Sequence, residues 1–515
     1  MTSRLWRLLP ALLLLCGPLS AARADEPVPD AATIRAKMRD PAPPSLPVLR
    51  VVVLTTSTDG SRVTQLRFRR NADWRDVIDD GPFHTERGSV KGDRWHENEN
   101  GQVVFDQPEP SPEPSATAAA NATVTRVHEP VEAFLVATLS PRGFGTKDYV
   151  DPVTWRLVRH ELINSAGTTV TTYDDFRADH GAEFAHHWRI DSALIRTVSD
   201  SRVELFEPGA VQDRDVAMPS PRRQLVEFPP SVHRVELPTK FAPFGHVYVR
   251  VMIGDRGLDF ILDSGAYGIA LDMEVAKELG ITPYGEHSTI SAQRHELARA
   301  IVPEMHVGDL RMRNVMVHLQ PQGWHEQTGV KAVGLLGFDF LAELGLTIDY
   351  QNKRVVAVPG DEYRAPSGPY VFPIEIRLAG GQPLTTVTLN GVPANRFMID
   401  TGGVGTFLIH DYFARRHPEA IVDEGAGAQR RPIRFYGVGG AFDVRAYQIK
   451  SLRLGAINFS ETVGYRVTSS GSYTVPTDGV IAPDFLRYFT LGLDYGNSRI
   501  YFVPNEAGRK AMAIK

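Results

Sequence analysis

From Val48 the chain reads VLRVVVLTTS and then TQLRFRR, short runs in which apolar and polar positions alternate between turn residues. The rhythm returns at FLVATL, TWRLVRHELI and TTVTTYDDF, with Gly or Asn between runs and little helical periodicity. Alternation with a period of two marks strands that bury one face. Residues 48–235 are therefore expected to form an antiparallel, curved, β-rich domain. Further on, HVYVRVMIG and TTVTLNG read as strands ending in turns, while FILD and FMID are short apolar strands that each end on an Asp. DMEVAKELG and HDYFARRHPEA read as single short helices, stopped by Gly280 and Pro418. The pattern predicts a mainly β protein.

The C-terminal half repeats itself. FILDSGAYGIAL (260–271) aligns with FMIDTGGVGTFL (397–408), an offset of 137 that sets Asp263 on Asp400, Ser264 on Thr401, Gly265 on Gly402 and Gly268 on Gly405. GLLGFDFL (334–341) aligns with GVIAPDFL (479–486), and LTIDYQNKRVVAVP (346–359) with LGLDYGNSRIYFVP (491–504), now at an offset of 145. The widening from 137 to 145 puts eight extra residues in the middle of the second copy, where a loop is expected. Two blocks in the same order with this much identity mark a duplication. Each copy has the size of a small domain. Asp349 and Asp494 stand at hairpin starts, so turn capping is the expected role of both. Asp339 and Asp484 are expected to cap a short helix or bond backbone amides.

Length and composition narrow the rest. A chain of 515 residues exceeds one hydrophobic core, so two to four domains are expected. The net charge of -5 with scattered basic residues gives no footprint for nucleic acid. Arg4 and Arg7, an apolar run over 8–15 and Ala22-Arg23-Ala24 make residues 1–24 a signal peptide. Asp25 would start the mature chain, in the periplasm or secreted, with no membrane span left. Lipidation at Cys16 is disfavoured by Leu15, where a small residue is usual. Cys16 is the only cysteine, so disulfide, thiol and cysteine–metal chemistry are not expected after cleavage. Residues 25–47 are Pro- and Ala-rich and read as a flexible lead, and QPEPSPEPSA (107–116) as an exposed loop. His180, His186 and His187 form no ligand pattern, since adjacent strand residues face opposite ways; they read as surface histidines. No metal or other cofactor is expected.

The Asp-Ser/Thr-Gly tripeptides carry the candidate chemistry. A strand fixes the carboxylate, the hydroxyl residue can bond across to a partner lobe, and Gly permits a sharp turn and close approach. Two such carboxylates brought together cannot both ionise easily, so they hold one proton between them and titrate as a unit. One can then act as base on a water while the other donates to a carbonyl oxygen.

Asp263-Ser264-Gly265 with Gly334-Leu335-Leu336-Gly337, and Asp400-Thr401-Gly402 with its later partner, resemble the retropepsin-like aspartic peptidases. The resemblance covers roughly residues 240–505 and extends to Asp339-Phe340-Leu341 and Asp484-Phe485-Leu486. It implies two tandem pepsin- or retropepsin-like β lobes, over 240–360 and 365–515, forming a pseudo-symmetric bilobal unit behind the N-terminal domain. It also implies Asp263 and Asp400 as the catalytic pair, with Ser264, Gly265, Thr401 and Gly402 in support and Gly337 and Ala482 packing behind the loops. Gly437-Val438-Gly439-Gly440 is a candidate flap, with a plain turn as the other reading. Three departures stand out: Ala482 replaces the Gly found at 337, Gly403 stands where a small residue such as Ala is usual, and STISAQRHE (288–296) lacks glycine, so the first flap is expected to be missing or different. The stretch from Tyr149 through Trp155 to Phe176 is similar to the bacterial lipoprotein-carrier half-barrel.

Two functions follow from these readings. One is an aspartic endopeptidase acting on a peptide or protein substrate, as a monomer or a homodimer. The other is a non-catalytic protein that uses a degenerate peptidase fold to hold a peptide or lipid.

Overall fold

The computed structural model describes residues 27–106, 122–140, 143–164, 167–193, 196–219, 223–290, 294–321, 330–421, 432–437, 440–467 and 477–512. The expected signal peptide and the 107–116 loop lie outside these residues. No helix among the described residues is long and apolar enough to cross a membrane.

The protein is mainly β, as its alternation predicts, and the strands among the described residues fall into four sheets. The first is an antiparallel sheet of 13 strands spanning residues 48–208, in which the first strand, Val48–Ser57, pairs with the last, Thr197–Pro208. This sheet curves. Val51, Arg67, Trp74 and Asp76 from its early strands and Tyr173 and Trp188 from its late ones line one cavity of about 530 Å³. The lead into the sheet departs from expectation. Residues Ala31–Lys37 form a helix capped by Asp30, whose carboxylate accepts from the Thr33 amide, and Ile34 is fully buried against Phe134, Val136 and Val150. Residues 41–45 then line the cavity. Prolines and alanines hide this helix from a periodicity search because it is short and buries one residue. His186 also corrects the reading of surface histidines: it is 3% exposed and stacks on Phe184 at 4.1 Å.

Two eight-stranded sheets follow. The order in the first is Thr239–Phe241, Val247–Ile253, Arg256–Leu262, Ala332–Leu336, Ile269–Asp272, Leu310–Gln320, Arg294–Val307, Tyr284–Ile290. The second runs Arg377–Ala379, Gln382–Leu389, Val392–Ile399, Gly479–Ile481, Phe407–Ile409, Ile457–Val467, Gly440–Leu454, Ile433–Gly437. Position by position the two orders match, and an added pairing folds each sheet back on itself. The helices Met273–Glu278 and Asp411–Arg416 take equivalent places after the strands Ile269–Asp272 and Phe407–Ile409, as their sequences predict.

A six-stranded sheet joins the two halves through the Asp-Tyr hairpins. Leu344–Asp349 pairs with Phe489–Asp494: Gly345 faces Asp494, Thr347 faces Gly492 and Asp349 faces Thr490. At the offset of 145, Gly345 corresponds to Thr490 and Asp349 to Asp494. Exchanging the copies therefore maps this pairing onto itself, with Thr347 and Gly492 on the pseudo-twofold axis. Turn capping by the two hairpin aspartates is observed, since Asp349 accepts from the Asn352 amide at 3.0 Å and Asp494 from the Asn497 amide at 3.2 Å. One apolar core runs through both halves, from Val249 and Phe260 to Phe397 and Phe489.

Candidate active site

Each Asp sits where an apolar strand ends beside a second strand. Arg256–Leu262 runs parallel to Ala332–Leu336, and the Asp263 amide donates to the Leu336 carbonyl at 2.9 Å. Val392–Ile399 does the same beside Gly479–Ile481, with the Asp400 amide on Ile481 at 2.9 Å. Strand pairing thus fixes both carboxylates at the stem.

The two loops then interlock. The Ser264 amide donates to Thr401 Oγ1 at 3.0 Å, and the Thr401 amide to Ser264 Oγ at 3.0 Å. Each hydroxyl in turn donates under the opposite loop, Ser264 to the Ile399 carbonyl at 2.8 Å and Thr401 to the Leu262 carbonyl at 2.7 Å. Four buried hydrogen bonds related by the pseudo-twofold leave little freedom between the lobes. Gly265 and Gly402 allow this approach. A Cβ on Gly265 would stand 2.6 Å from Asp400 Cγ, and one on Gly402 would stand 2.4 Å from Asp263 Cγ. Their amides donate to Asp263 Oδ1 and Asp400 Oδ1, both at 2.8 Å.

Sequence positions 137 apart thus become adjacent carboxylates. Burial, and then the neighbouring Asp400 charge, push the Asp263 carboxyl well above its ordinary range; burial also raises Asp400, less steeply. Such a pair carries one shared proton over a broad acidic range, the condition for general acid–base work on a water. The buried Tyr495 lies beneath. Burial and the charge of both carboxylates raise its hydroxyl pKa above the ordinary value. Tyr495 matches Tyr350 in the repeat, a signal that could have marked it.

Two of the three departures explain each other. A Cβ on Gly337 would fall 2.3 Å from the Gly268 carbonyl and 2.8 Å from the Ala266 Cβ. In the second copy Gly403 replaces Ala266 and Ala482 replaces Gly337, so one methyl fills the gap from the opposite side. A Cβ on Gly403 would lie 3.5 Å from the Ala482 methyl but 2.9 Å from Asp400 Oδ2. Ala482 is fully buried. For the third departure, of the two alternatives expected, missing or different, the matching edge is present and different. Tyr284–Ile290 and Arg294–Val307 form a hairpin at the edge matching Ile433–Gly437 and Gly440–Leu454, so glycine is not needed for it. Val438 and Gly439 of the candidate flap lie outside the described residues; Tyr436 beside them packs on the first-lobe wall with Tyr248 and Ala266.

Residues 249–340 match the family model for aspartyl proteases. The stretch contains Asp263-Ser264-Gly265 and ends within the Phe338–Leu341 helix behind that loop. No curated protein matches the chain.

The back of the matched segment meets three residues that the sequence did not flag, Asn98, Asn100 and Gln102. Asp339, 2% exposed, accepts from Asn98 Nδ2 and Asn100 Nδ2, both at 2.7 Å, and Gln102 Nε2 donates to its carbonyl at 2.8 Å. Burial raises the Asp339 pKa to about 7 against these donors. Beyond the expected backbone amide, here that of Ile269, its partners are side chains of the N-terminal domain. Asp80 of the same domain accepts from Tyr284 Oη at 3.0 Å and pairs with Arg299, at the base of the first edge hairpin. Asp484, by contrast, is a quarter exposed and lies 3.7 Å from Arg487.

Among the described residues, His84, Glu86 and Glu97 form one group of three side chains able to ligate a metal. Arg75 holds Glu86 at 2.7 and 2.8 Å, and His84 bridges Asp79 at 2.6 Å and Glu86 at 3.0 Å. A histidine between two carboxylates and an arginine on one of them is an ion-pair network inside the N-terminal sheet.

Proposed function

We propose that the chain is an aspartic endopeptidase in which Asp263 and Asp400 act as one catalytic pair within a single polypeptide. The observation that carries this reading is the mutual approach of the two loops: each tripeptide Gly lets the opposite carboxylate in, and each hydroxyl locks the opposite strand. In the proposed reaction the charged carboxylate takes a proton from a water that attacks the peptide carbonyl carbon. The protonated carboxylate donates to the carbonyl oxygen, giving a tetrahedral diol. Collapse breaks the C–N bond as the amine receives a proton, and the pair returns to one shared proton. Signal-directed export, two lobes from one duplication and an N-terminal accessory domain belong to the same proposal.

Hydrolysis of a diverse peptide library from acid to neutral pH tests it. Wild type should cut, and Asp263→Asn and Asp400→Asn should each be silent. Cutting that survives either substitution refutes a one-chain pair. The N-terminal cavity favours a second reading, a holder of peptide or lipid. Apolar Val51, Trp74 and Trp188 line it, and the buried Asp76 there is shared by Arg67 and Arg87. Folded protein that cuts nothing at any pH would move that reading ahead.

A further inference from the structure

The Ser264–Thr401 interlock is not the only bond between the catalytic loops and the opposite lobes. His246, in the loop before Val247–Ile253 of the first lobe, reaches the second: its Nε2 lies 2.8 Å from the Gly403 carbonyl. A carbonyl only accepts, so Nε2 carries the proton. Gln382, at the start of Gln382–Leu389 in the second lobe, donates from Nε2 to the Gly265 carbonyl at 2.6 Å. At the offset of 137, Gln382 falls on Gly245, one residue from His246. Two different side chains thus perform the same bridging from nearly equivalent places.

They differ in what they can carry. Gln382 is neutral at every pH. His246 is 7% exposed, and its Nδ1 has no hydrogen-bond partner among the described residues. The charged groups that act on it are Asp400 and Asp484, the latter beside Arg487; Tyr248 stands 6.4 Å away ring to ring on the adjoining strand. We propose that His246 and Gln382 are paired positioning residues, each holding the catalytic loop of the opposite lobe, and that His246 makes the two carboxylates inequivalent by favouring the charge on Asp400 and the proton on Asp263. The assignment rests on the peptidase reading for its consequence, but the coupling between His246 and Asp400 does not. Gly403, whose carbonyl the ring holds at 2.8 Å, adjoins the Asp400 carboxylate, since a Cβ there would lie 2.9 Å from Asp400 Oδ2; burial lowers the His246 pKa while the Gly403 bond and the Asp400 charge oppose that, and protonation in acid sets a cation next to that loop.

The test uses the full chain with carbon-13-labelled histidine, following the His246 ring by NMR from pH 3 to 8, with His246→Gln to assign the signal. Asp400→Asn should lower the His246 midpoint by about half a pH unit or more. Asp263→Asn should leave it unchanged or slightly raised, because Asp400 then keeps its full charge. Equal lowering in both variants, or lowering in Asp263→Asn alone, overturns the proposal. On a cleavable peptide, His246→Gln keeps an N–H donor and loses the cation. The readout is the acid limb of the pH profile, which should move up by a similar half unit. Gln382→Ala should lower turnover without moving that limb. An unmoved limb in His246→Gln also overturns the proposal. If wild type cleaves nothing, the peptidase reading fails, and the NMR titration still decides the coupling.

Discussion

Asn100→Ala should loosen the N-terminal domain from the back of the Asp263 loop. Asn100 is 1% exposed and makes three bonds into the first lobe: Nδ2 to Asp339 Oδ2 at 2.7 Å, Nδ2 to the Met316 carbonyl at 3.1 Å, and Oδ1 from the Met316 amide at 2.8 Å. Alanine leaves all three lobe atoms buried and short of a partner. At about 1–3 kcal/mol for each buried group, the cost is roughly 3–9 kcal/mol of docking free energy. Asp339 adds a pH dependence. Its folded pKa of about 7 lies above the ordinary 3.8, so burial takes up a proton between those values. The docked state is therefore favoured in acid and weakens as pH rises from about 4 to 7. Hydrogen exchange at the Met316 amide, read against pH, follows the docking. Exchange should quicken from pH 4 to 7 after correction for intrinsic rates, and Asn100→Ala should raise it at every pH. A Met316 amide equally protected in both proteins would refute the docking argument.

Gly402→Ala puts a methyl 2.4 Å from Asp263 Cγ, so turnover should fall by at least about 10²-fold; retained turnover counts against the pair geometry. Gly337→Ala collides with the Gly268 carbonyl and should cost about 3 kcal/mol, whereas Ala482→Gly removes one methyl and should cost about 1 kcal/mol, both by chemical denaturation. Equal costs would show that the two copies do not fill the gap from opposite sides. Asp263→Asn removes one of two buried carboxylates whose folded pKa values are raised. An acid of raised pKa costs stability increasingly as pH climbs past its ordinary value, so the variant should melt above wild type at pH 7 and the gap should close toward pH 3. A variant that melts below wild type at pH 7 contradicts that sign.

Much of the C-terminal half is legible because its repeated sequence prints the same constraints twice. The Asp tripeptides, the short helices after them and the capped hairpins each appear in both copies, and local rules suffice to interpret them. What escapes reading is what lies between copies or between domains. Asn98, Asn100 and Gln102 stand about 240 residues before Asp339, in a turn with no periodicity. The pairing of Ala266 with Gly337 and of Gly403 with Ala482 is visible only when the two columns are compared together; taken singly, each substitution looks like damage. His246 and Gln382 escape for the opposite reason: they differ in type and sit one position out of register, so alignment hides their common task. The helix at Ala31–Lys37 and the buried His186 are stabilised by tertiary contacts that composition does not reveal.

The pseudo-twofold describes the backbone better than it describes the chemistry. Around the axis the interlock is symmetric to within about a tenth of an ångström in each bond pair. One shell further out the symmetry ends. Asp339 is buried under amide side chains of another domain, while its counterpart Asp484 is partly open and sits beside Arg487. The first edge hairpin is tied at its base to Asp80, while the second lays Tyr436 across to the first lobe. A single shared proton has to reside on one carboxylate or the other at any moment, and a symmetric site would leave that choice to chance. The outer asymmetry, with His246 on one side and Gln382 on the other, supplies a preference without disturbing the geometry that both carboxylates need.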